Sequence, residues 1–400
     1  MDGDPLKRRL LIYFSFGHLA NDWAPCAIWL IAPAIGVAMA LSPGEVGLLI
    51  GVASAGAALG YLPAGYLSDR VARRGRLLLA TFWWVAIGYA VASFAPDFWT
   101  IALLLVLAGL GDAAWHPIAS GVLVQAMPKR RAHALGIHAM GGTFAEVLAP
   151  LLVGFLLSHV DWRTALQISA LPAALMGLVF LRIAGSVPPA PRQSGSHGDL
   201  RGLWRVWASR RGLAVTAMIS VYNMALVAVL AMSPLFLQQV HAFSPLDTGL
   251  AFSVMILGGA LAQPVIGRVS DGIGRKPVFL AGNGLAVLAC LAVAASAGPW
   301  LALLGLVVTV AALYGIRSAV LAAAVEFAGG REGTTLGLTF ALLDGVGALG
   351  AILAGWVGNL DLHYAFVLAA GLAASAAALA LPIAFGAARE DAEAVTESTL

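Results

Sequence analysis

Long apolar runs alternate along this chain with short stretches of charged and turn-forming residues. A helix of roughly 20 residues crosses the hydrocarbon core of a bilayer, so runs of this length predict membrane-spanning helices. The predicted spans cover about 10–37, 46–67, 77–95, 99–123, 133–157, 164–184, 212–239, 247–267, 277–297, 300–323, 334–357 and 364–386. The pattern therefore predicts an all-α membrane protein with twelve transmembrane helices.

Composition agrees with this pattern and excludes several classes of protein. Of the 400 residues, 60% are hydrophobic and 11% are charged, whereas a soluble domain has about 25% charged residues. So few charges cannot cover the surface of a soluble globule, which excludes a cytosolic enzyme and a disordered chain. The two cysteines, Cys26 and Cys290, both lie in apolar runs and cannot form a secreted disulfide framework.

Lysine and arginine are distributed unevenly between the loops, and this asymmetry predicts the orientation of the chain. Of the 23 basic residues, 21 lie in the N-terminus, in the even-numbered loops, in the C-terminal tail or, for Arg182, at the end of a span next to the linker. The odd-numbered loops contain Arg163 alone, and Arg317 lies inside a span. Because cytoplasmic loops are enriched in Lys and Arg, we expect a multi-pass protein of the plasma (inner) membrane with both termini in the cytoplasm. The apolar stretch from Leu10 is too long for a cleaved signal peptide and predicts a retained first span.

The two halves of the sequence match at an offset of about 201 residues. Pro33 and Pro63 in the first half recur as Pro234 and Pro264 in the second. Each half contains six predicted spans, so the repeat is parallel, with its axis along the membrane normal. Transporters built from such repeats bind substrate near the bilayer midplane, between the two halves.

These features divide the chain into four segments. The N-terminal six-helix half spans 1–184 and the C-terminal half spans 212–388. A cytoplasmic linker, 185–211, joins them, and its second part has apolar and basic residues at the spacing of an amphipathic helix on the inner leaflet. The tail, 389–400, is short and acidic.

Several segments of the chain carry a family resemblance. Gly267–Lys276 resembles the loop signature of the major facilitator superfamily, G-x-x-x-D-x-x-G-R-[RK], and Gly65–Arg76 is a looser copy. Gly17–Asp22, Trp115–Pro117 and Ala134–Gly142 are similar to the fosmidomycin-resistance branch, which resembles proton-driven drug exporters. The resemblance implies the major facilitator fold, with two pseudo-symmetric halves in which spans 1, 4, 7 and 10 surround a central cavity.

The same resemblance implies a gating role for the two loop segments, which lie at cytoplasmic turns. A carboxylate there can cap a neighbouring helix and pair with arginine, which would hold one conformation. The alternative is that these charges only set the topology. The implied gate residues are Gly65, Asp69, Arg70, Gly267, Asp271 and Arg275.

Four acidic residues and Arg317 lie deep inside the predicted spans. An ionised side chain at such a depth costs about 2.5–3.5 kcal/mol on insertion scales, so these groups must pair, become protonated or line a wet cavity. A carboxylate that alternates between neutral and charged states can carry a proton. With one neighbouring histidine, the acidic residues are the candidates for proton coupling: Asp22, Asp112, His116, Glu146 and Asp344.

Two pairs of residues have the i, i+4 spacing that places side chains on one face of a helix. His18 and Asp22 form the first pair, and Asp112 and His116 form the second. In a carboxylate–imidazole pair, either group can exchange a proton near neutral pH. The alternative for each pair is a hydrogen bond that only joins neighbouring helices.

The offset of 201 residues relates His116 to Arg317 and Asp22 to Asn223, so we expect these pairs to face each other across the pseudo-twofold axis. Arginine binds carboxylates and phosphonates through two parallel hydrogen bonds, which suits an anionic cargo. The alternative is that Arg317 only neutralises Asp22 or Asp112. Polar and aromatic residues of the spans make up the candidate substrate-binding set: His18, Asn21, Trp23, Trp115, His116, His138, Asn223, Tyr314 and Arg317.

These patterns favour a proton-coupled secondary transporter that exports a small organic solute or drug by alternating access. A proton-coupled importer of a small organic anion is the first alternative, and a transport-inactive membrane sensor is the remote one. The chain has no Walker A segment and no paired Cys/His cluster, so neither ATP, a metal nor another cofactor is expected. We expect a monomer that is not an enzyme, whose partners are protons, a small-molecule substrate and the lipid bilayer rather than nucleic acid.

Overall fold

The computed structural model describes residues 5–128, 130–189, 207–328 and 332–383, and the regular structure within these ranges is helical. The first six helices are α1 (Pro5–Ala38), α2 (Pro43–Arg70), α3 (Arg74–Ala92), α4 (Phe98–Ala126), α5 (Arg131–Leu157) and α6 (Trp162–Ile183), followed by a 3-10 turn at Ala184–Ser186. The others are α7 (Arg210–Gln239), α8 (Pro245–Ile273), α9 (Arg275–Ala294), α10 (Pro299–Gly315), α11 (Arg317–Ala328), α12 (Glu332–Gly358) and α13 (Leu362–Ala380).

Among the described residues, eleven stretches are long and apolar enough to cross a membrane, and they correspond to predicted spans 2 to 12. Helix α1 is also long enough, with 34 residues. Its centre is more polar than that of the other spans because it contains His18, Asn21 and Asp22. Twelve spans therefore account for the helices, which confirms the predicted all-α architecture.

The tenth predicted span, 300–323, is not a single helix. Helix α10 ends at Gly315 and α11 begins at Arg317, with Ile316 in a turn between them. The side chain of Ile316 packs directly against Gly282 of α9, where a Cβ would lie 2.4 Å from it. Apolar residues continue through this break, so the hydropathy pattern predicted one helix where there are two.

Carboxylates in the odd-numbered loops cap the helices that follow them. Asp97 accepts a hydrogen bond from the Thr100 backbone N–H at the start of α4 (2.9 Å), and Asp161 accepts one from Thr164 at the start of α6 (2.8 Å). These backbone N–H groups hold the pKa of both carboxyls below their usual value. Asp97 and Asp161 are therefore the N-cap residues of transmembrane helices.

The helices form two compact units. The first contains the described residues before 190 together with Ala231–Val254, and the second contains 207–230 together with the described residues from Met255 onward. In the first unit, α1 packs on α5, α2 on α4, and α3 on both α4 and α6. Its apolar core includes the rings of Phe14, Phe82, Trp115 and Phe180.

The second unit repeats this packing scheme at equivalent helices. Helix α9 packs on α10 and α13, as α3 packs on α4 and α6. Helix α12 lies so close to α7 that a Cβ on Gly350 would lie 2.1 Å from the carbonyl oxygen of Met224, which matches the approach of α5 to α1. The internal repeat seen in the sequence is therefore a repeat of helix packing.

Most of the predicted linker helix and the whole acidic tail, 389–400, lie outside the described residues. Trp207, at the end of the linker, is described and is buried. Its ring lies edge-on to that of Phe327 in α11, with centroids 5.6 Å apart. This tryptophan is therefore covered by protein.

Candidate functional site

Helices α1, α4 and α5 bring six predicted site residues together in the first unit. We name this group the Asp22 cluster: His18, Asn21, Asp22, Asp112, His116 and His138. The Asp22 carboxylate has one oxygen 3.1 Å from His18 Nε2 and the other 3.7 Å from His116 Nε2. The predicted contact between His18 and Asp22 is confirmed, and the contact from α4 to α1 through His116 is one that helical spacing alone did not predict.

The hydrogen bonds of His18 determine where its protons lie. Its Nδ1 is 2.9 Å from the backbone oxygen of His138. A carbonyl oxygen only accepts, so Nδ1 carries a hydrogen and donates it. Nε2 then faces an oxygen of Asp22, and two lone pairs would oppose each other unless a proton lay between them. In this geometry, His18 and Asp22 therefore share one proton.

His138 supports His18 from α5 and is itself buried. Its Nδ1 donates to the backbone oxygen of Phe14 (3.1 Å), which fixes the plane of the ring. The two imidazoles stack with their centroids 4.3 Å apart. His138 thus holds His18 in place both through its carbonyl and through its ring.

Asn21 joins the two carboxylates of the cluster. Its Nδ2 donates to Asp112 Oδ1 at 2.6 Å and lies 3.3 Å from Asp22 Oδ1 and 3.2 Å from the backbone oxygen of Asp112. The side chain has no exposed surface, and its Oδ1 has no hydrogen-bond partner. The role of Asn21 in substrate binding remains a prediction; in this structure its side chain is buried between the two carboxylates.

Two glycines allow α5 to approach the cluster. A Cβ on Gly141 would lie 2.0 Å from the backbone oxygen of Ser15, and one on Gly142 would lie 2.7 Å from His18 Nε2. Neither position has room for a side chain. One turn further along α5, the half-buried Glu146 interacts electrostatically with His18.

The predicted aromatic residues of the first unit lie at different depths. Trp115 has no exposed surface and belongs to the apolar core. Trp23 is half-buried and packs against the small side chains of Cys26 and Ala145. Tyr61 of α2, which the sequence analysis did not single out, has its ring 5.9 Å from that of His116. Helical periodicity gave no signal for this contact between α2 and α4.

The remaining predicted binding residues lie in the second unit. Asn223 is buried and donates from Nδ2 to the backbone oxygen of Leu343 (2.5 Å). Arg317 is half-buried at the first position of α11, with its guanidinium carbon 5.6 Å from the centre of the Tyr314 ring. Asp344 is half-buried on α12.

The predicted gate residues also fall into two sets. In the second unit, Arg275 pairs with Asp271 across the turn at Gly274, whose φ of 96° favours glycine, and with Glu326 of α11 (3.1 Å). Glu326 was not predicted, although a carboxylate at the end of a span, close in sequence to a basic loop, is a usable signal. Gly267 lies in α8, four residues before Asp271.

In the first unit, Gly65 and Arg70 lie in the last turns of α2, and the side chain of Asp69 is outside the described part of the chain. The Arg70 guanidinium lies over the ring of Tyr66, 3.8 Å from its centre. The pairing of arginine with a carboxylate at the predicted gate is therefore seen in the second unit, and the gating role remains a prediction for both.

The ligand-type atoms of His18, Asp22 and His116 lie within 4.8 Å of one another, a spacing that would admit a metal ion. Two imidazoles and a carboxylate are a donor set found at zinc sites. No sequence motif predicted such a site, and here His18 and His116 each face a different oxygen of Asp22.

Comparison with known proteins gives a consistent family. A family model described as Major Facilitator Superfamily matches residues 14–259 and 213–398. The chain is 26% identical to the uncharacterized MFS-type transporter YfnC of Bacillus subtilis over 94% of this chain and 90% of that protein. It is 24% identical to the fosmidomycin resistance protein of Escherichia coli K12 over 86% and 85% of the two chains.

The fold is also that of a solved transporter. The structure of a bacterial homologue of the human lysosomal transporter Spinster, in an inward-facing and unoccupied conformation, superposes with a TM-score of 0.81. The match covers 94% of this chain and 97% of that one at 18% identity. At this identity the likeness concerns the fold alone.

Proposed function

Because this chain belongs to the Major Facilitator Superfamily, we propose that it is a proton-coupled secondary transporter that exports a small organic solute by alternating access. The observation that carries the proposal is the contact of His18 Nε2 with Asp22, inside a membrane-spanning helix, while His18 Nδ1 is bound to a backbone oxygen. A carboxylate within a membrane span, next to a titratable side chain, is typical of a proton pathway in a transporter. His116, on a second helix, faces the other oxygen of the same carboxylate.

The coupling requires that the pair gain and lose its proton as access alternates. With the proton present, the pair is hydrogen-bonded and carries no net charge. When the proton leaves, Asp22 and the Nε2 lone pair repel each other, and this repulsion favours a rearrangement. The cost of a lone carboxylate inside a membrane, about 2.5–3.5 kcal/mol on insertion scales, is large enough to bias two conformations.

Export is the direction that the similarity to a fosmidomycin resistance protein favours. Import of an organic anion is the second candidate, and Arg317 favours it, since a half-buried arginine over an aromatic ring suits a carboxylate or phosphonate. The export and import candidates use the same alternating-access cycle. They differ in the direction of the proton gradient that drives uptake of the cargo.

Flux into proteoliposomes with an imposed pH gradient tests the proposal. Phosphonates, carboxylates and lipophilic cations are screened with the vesicle interior either acidic or alkaline. An antiporter accumulates its cargo when the interior is acidic, and a symporter does so when the exterior is acidic. Protein-free vesicles and a protonophore are the controls. A cargo that exchanges readily but ignores both gradients would show that transport is not coupled to protons.

We propose further that the protein lies in the inner membrane with both termini in the cytoplasm, as the distribution of basic residues indicates. Ser194→Cys in the linker should resist a membrane-impermeant thiol reagent added to intact cells. Ser158→Cys, at the exposed end of α5, should react. The native Cys26 and Cys290 are both buried, which keeps the background low. Rapid labelling at 194 and protection at 158 would reverse the orientation.

A further inference from the structure

We propose that Asn21 is a positioning residue that couples the two carboxylates of the Asp22 cluster, so that Asp112 and the His18–Asp22 pair take up protons together. This inference rests on the proposed function, since it describes how the same site handles protons. It gives Asn21 a role that differs from cargo binding, and it gives Asp112 a role that depends on Asp22.

Hydrogen-bond donors and acceptors around Asn21 are not balanced. Its amide nitrogen has two hydrogens and three oxygens within hydrogen-bond distance, two from Asp112 and one from Asp22. Its own oxygen is buried without a partner. A buried acceptor without a hydrogen bond costs about 1–3 kcal/mol. The present orientation of the Asn21 amide is therefore favoured in one protonation state of Asp22 and Asp112 and not in every one.

A proton on Asp112 would change this balance. A protonated carboxyl is a donor and needs an acceptor, and Asn21 Oδ1 is a buried acceptor of the side chain already bonded to it. A half-turn of the amide about its Cβ–Cγ bond brings Oδ1 to Asp112 and turns Nδ2 away. The rotation gives Oδ1 the hydrogen bond that it lacks in the present arrangement.

The rotation of the Asn21 amide also affects Asp22. The rotated amide no longer donates to Asp22 Oδ1, and a carboxylate that loses an N–H donor accepts a proton more readily. A proton on Asp112 therefore promotes a proton on Asp22, and the reverse holds by linkage. The two carboxylates, on α4 and α1, become one cooperative unit through a single amide.

Other titratable groups surround the two carboxylates and set the background against which this coupling acts. They come from every neighbouring helix for which the structure describes an interaction with the cluster: His18 and Cys26 on α1, Tyr61 on α2, Tyr89 on α3, His116 on α4, and His138 and Glu146 on α5. Asn21 is the amide that hydrogen-bonds to both Asp22 and Asp112.

The test measures cargo exchange as a function of pH for Asn21→Leu, which has a similar size and no hydrogen-bonding atoms. The wild-type profile should have a Hill coefficient clearly above 1 and at most 2, the number of coupled sites, and the variant a coefficient of about 1. Its midpoint should move to higher pH, because both carboxylates lose a donor. KM for the cargo should stay unchanged, since Asn21 has no exposed surface.

Asn283→Leu is the matched control. Asn283 is equally buried, its Nδ2 donates to the backbone oxygen of Phe279 in its own helix, and its Oδ1 also has no partner. It should keep the wild-type pH profile. Asn21→Ser is the second variant, for use if the leucine variant does not fold. Its hydroxyl can donate or accept a hydrogen bond but is too short to reach both carboxylates, so it too should lower the Hill coefficient.

The outcomes separate this inference from the proposed function. A wild-type protein whose flux ignores the pH gradient would refute the proposed function and this inference with it. A proton-coupled wild type with an unchanged Hill coefficient in both Asn21 variants would refute the inference alone. A change confined to KM would also refute it, because that result would make Asn21 a cargo ligand.

Discussion

The two halves of this protein use the same hydrogen bond with different residues. Asn21 of α1 donates to the backbone oxygen of Asp112, and Tyr222 of α7 donates to that of Leu313 (2.6 Å). Both donors and both acceptors are 201 residues apart. The position that joins the first helix of each half to the fourth is therefore preserved in geometry, while the side chain that fills it has changed its chemistry.

The positions next to this hydrogen bond also differ in chemistry between the two halves. Asp22 corresponds to Asn223 and His116 to Arg317. Two titratable side chains in the first half are therefore replaced in the second by a neutral amide and a permanently charged guanidinium. In the proposed transporter, the first half would store the proton and the second would hold a constant charge for the cargo. Exchanging residues between the halves is the direct way to test this division.

The largest expected effect is that of Asp22→Asn. The asparagine can donate to His18 Nε2 without an added proton, so the protein should fold with its hydrogen bonds satisfied. It should lose pH-driven flux completely while retaining cargo exchange at equal pH. Flux assays with and without a gradient measure both quantities. Retained gradient-driven accumulation would place the proton carrier elsewhere.

The reverse exchange, Asn223→Asp, should damage stability instead. Its carboxylate would face the backbone oxygen of Leu343 at a buried position, with no donor in place of the native amide. Leaving a buried charge unpaired costs about 3–5 kcal/mol, so the melting temperature should fall by roughly 5–10 °C. Thermal unfolding of the purified protein measures it. A melting temperature equal to that of the wild type would mean that the second half accommodates a carboxylate at this position as the first half does.

Substitution of Arg317 should have a more moderate effect and should depend on the charge of the cargo. Arg317→Gln should weaken binding of anionic cargo about tenfold, and Arg317→Lys should weaken it less, because lysine keeps the charge and loses the paired geometry. Binding of a neutral cargo is the control. Loss of stability with unchanged affinity, restored by Asp112→Asn, would show that Arg317 neutralises a carboxylate instead.

The smallest effect concerns the starts of α4 and α10. Asp97 caps α4, and the residue 201 positions later, Gly298, precedes α10 without a side-chain bond. Gly298 has extended backbone (φ −140°, ψ 156°) and open space at its Cβ, so Gly298→Asp should add the missing cap and raise the melting temperature by about 1–3 °C.

Acid should remove this gain. A capping aspartate has a pKa below its usual value in the folded protein, as Asp97 does. Its stabilisation is therefore present above the ordinary pKa of aspartate and is lost as the pH falls through the lowered value. Gly298→Asn, which caps without a titratable charge, should keep its gain in acid, and equal acid sensitivity of both variants would contradict the capping explanation.

Local spacing predicted part of this site and could not predict the rest. The four-residue separation of His18 and Asp22 sufficed to place them in contact, because an α-helix fixes which residues share a face. The bond between Asn21 and Asp112 joins residues 91 positions apart, and no periodicity in either helix encodes it. Helical spacing therefore gave no sign that Asn21 joins the two carboxylates.

Helix continuity shows a similar limit. Pro117 lies inside α4, where a proline removes a hydrogen bond, yet that helix is unbroken from Phe98 to Ala126. The equivalent span in the second half has no proline near its break at Ile316. Packing against Gly282 accompanies this break, and such a contact between helices leaves no mark in an apolar run.

The bond from His18 to the His138 carbonyl has a consequence for electrical leakage. An imidazole conducts protons when it takes one on the first nitrogen and releases another from the second. Here Nδ1 is committed to a backbone oxygen, and only Nε2 faces a partner that can exchange. A ring held in this way cannot pass a proton from one nitrogen to the other. In the proposed transporter, His18 would therefore hold a proton without conducting protons across the membrane, and the membrane potential would be kept between transport cycles.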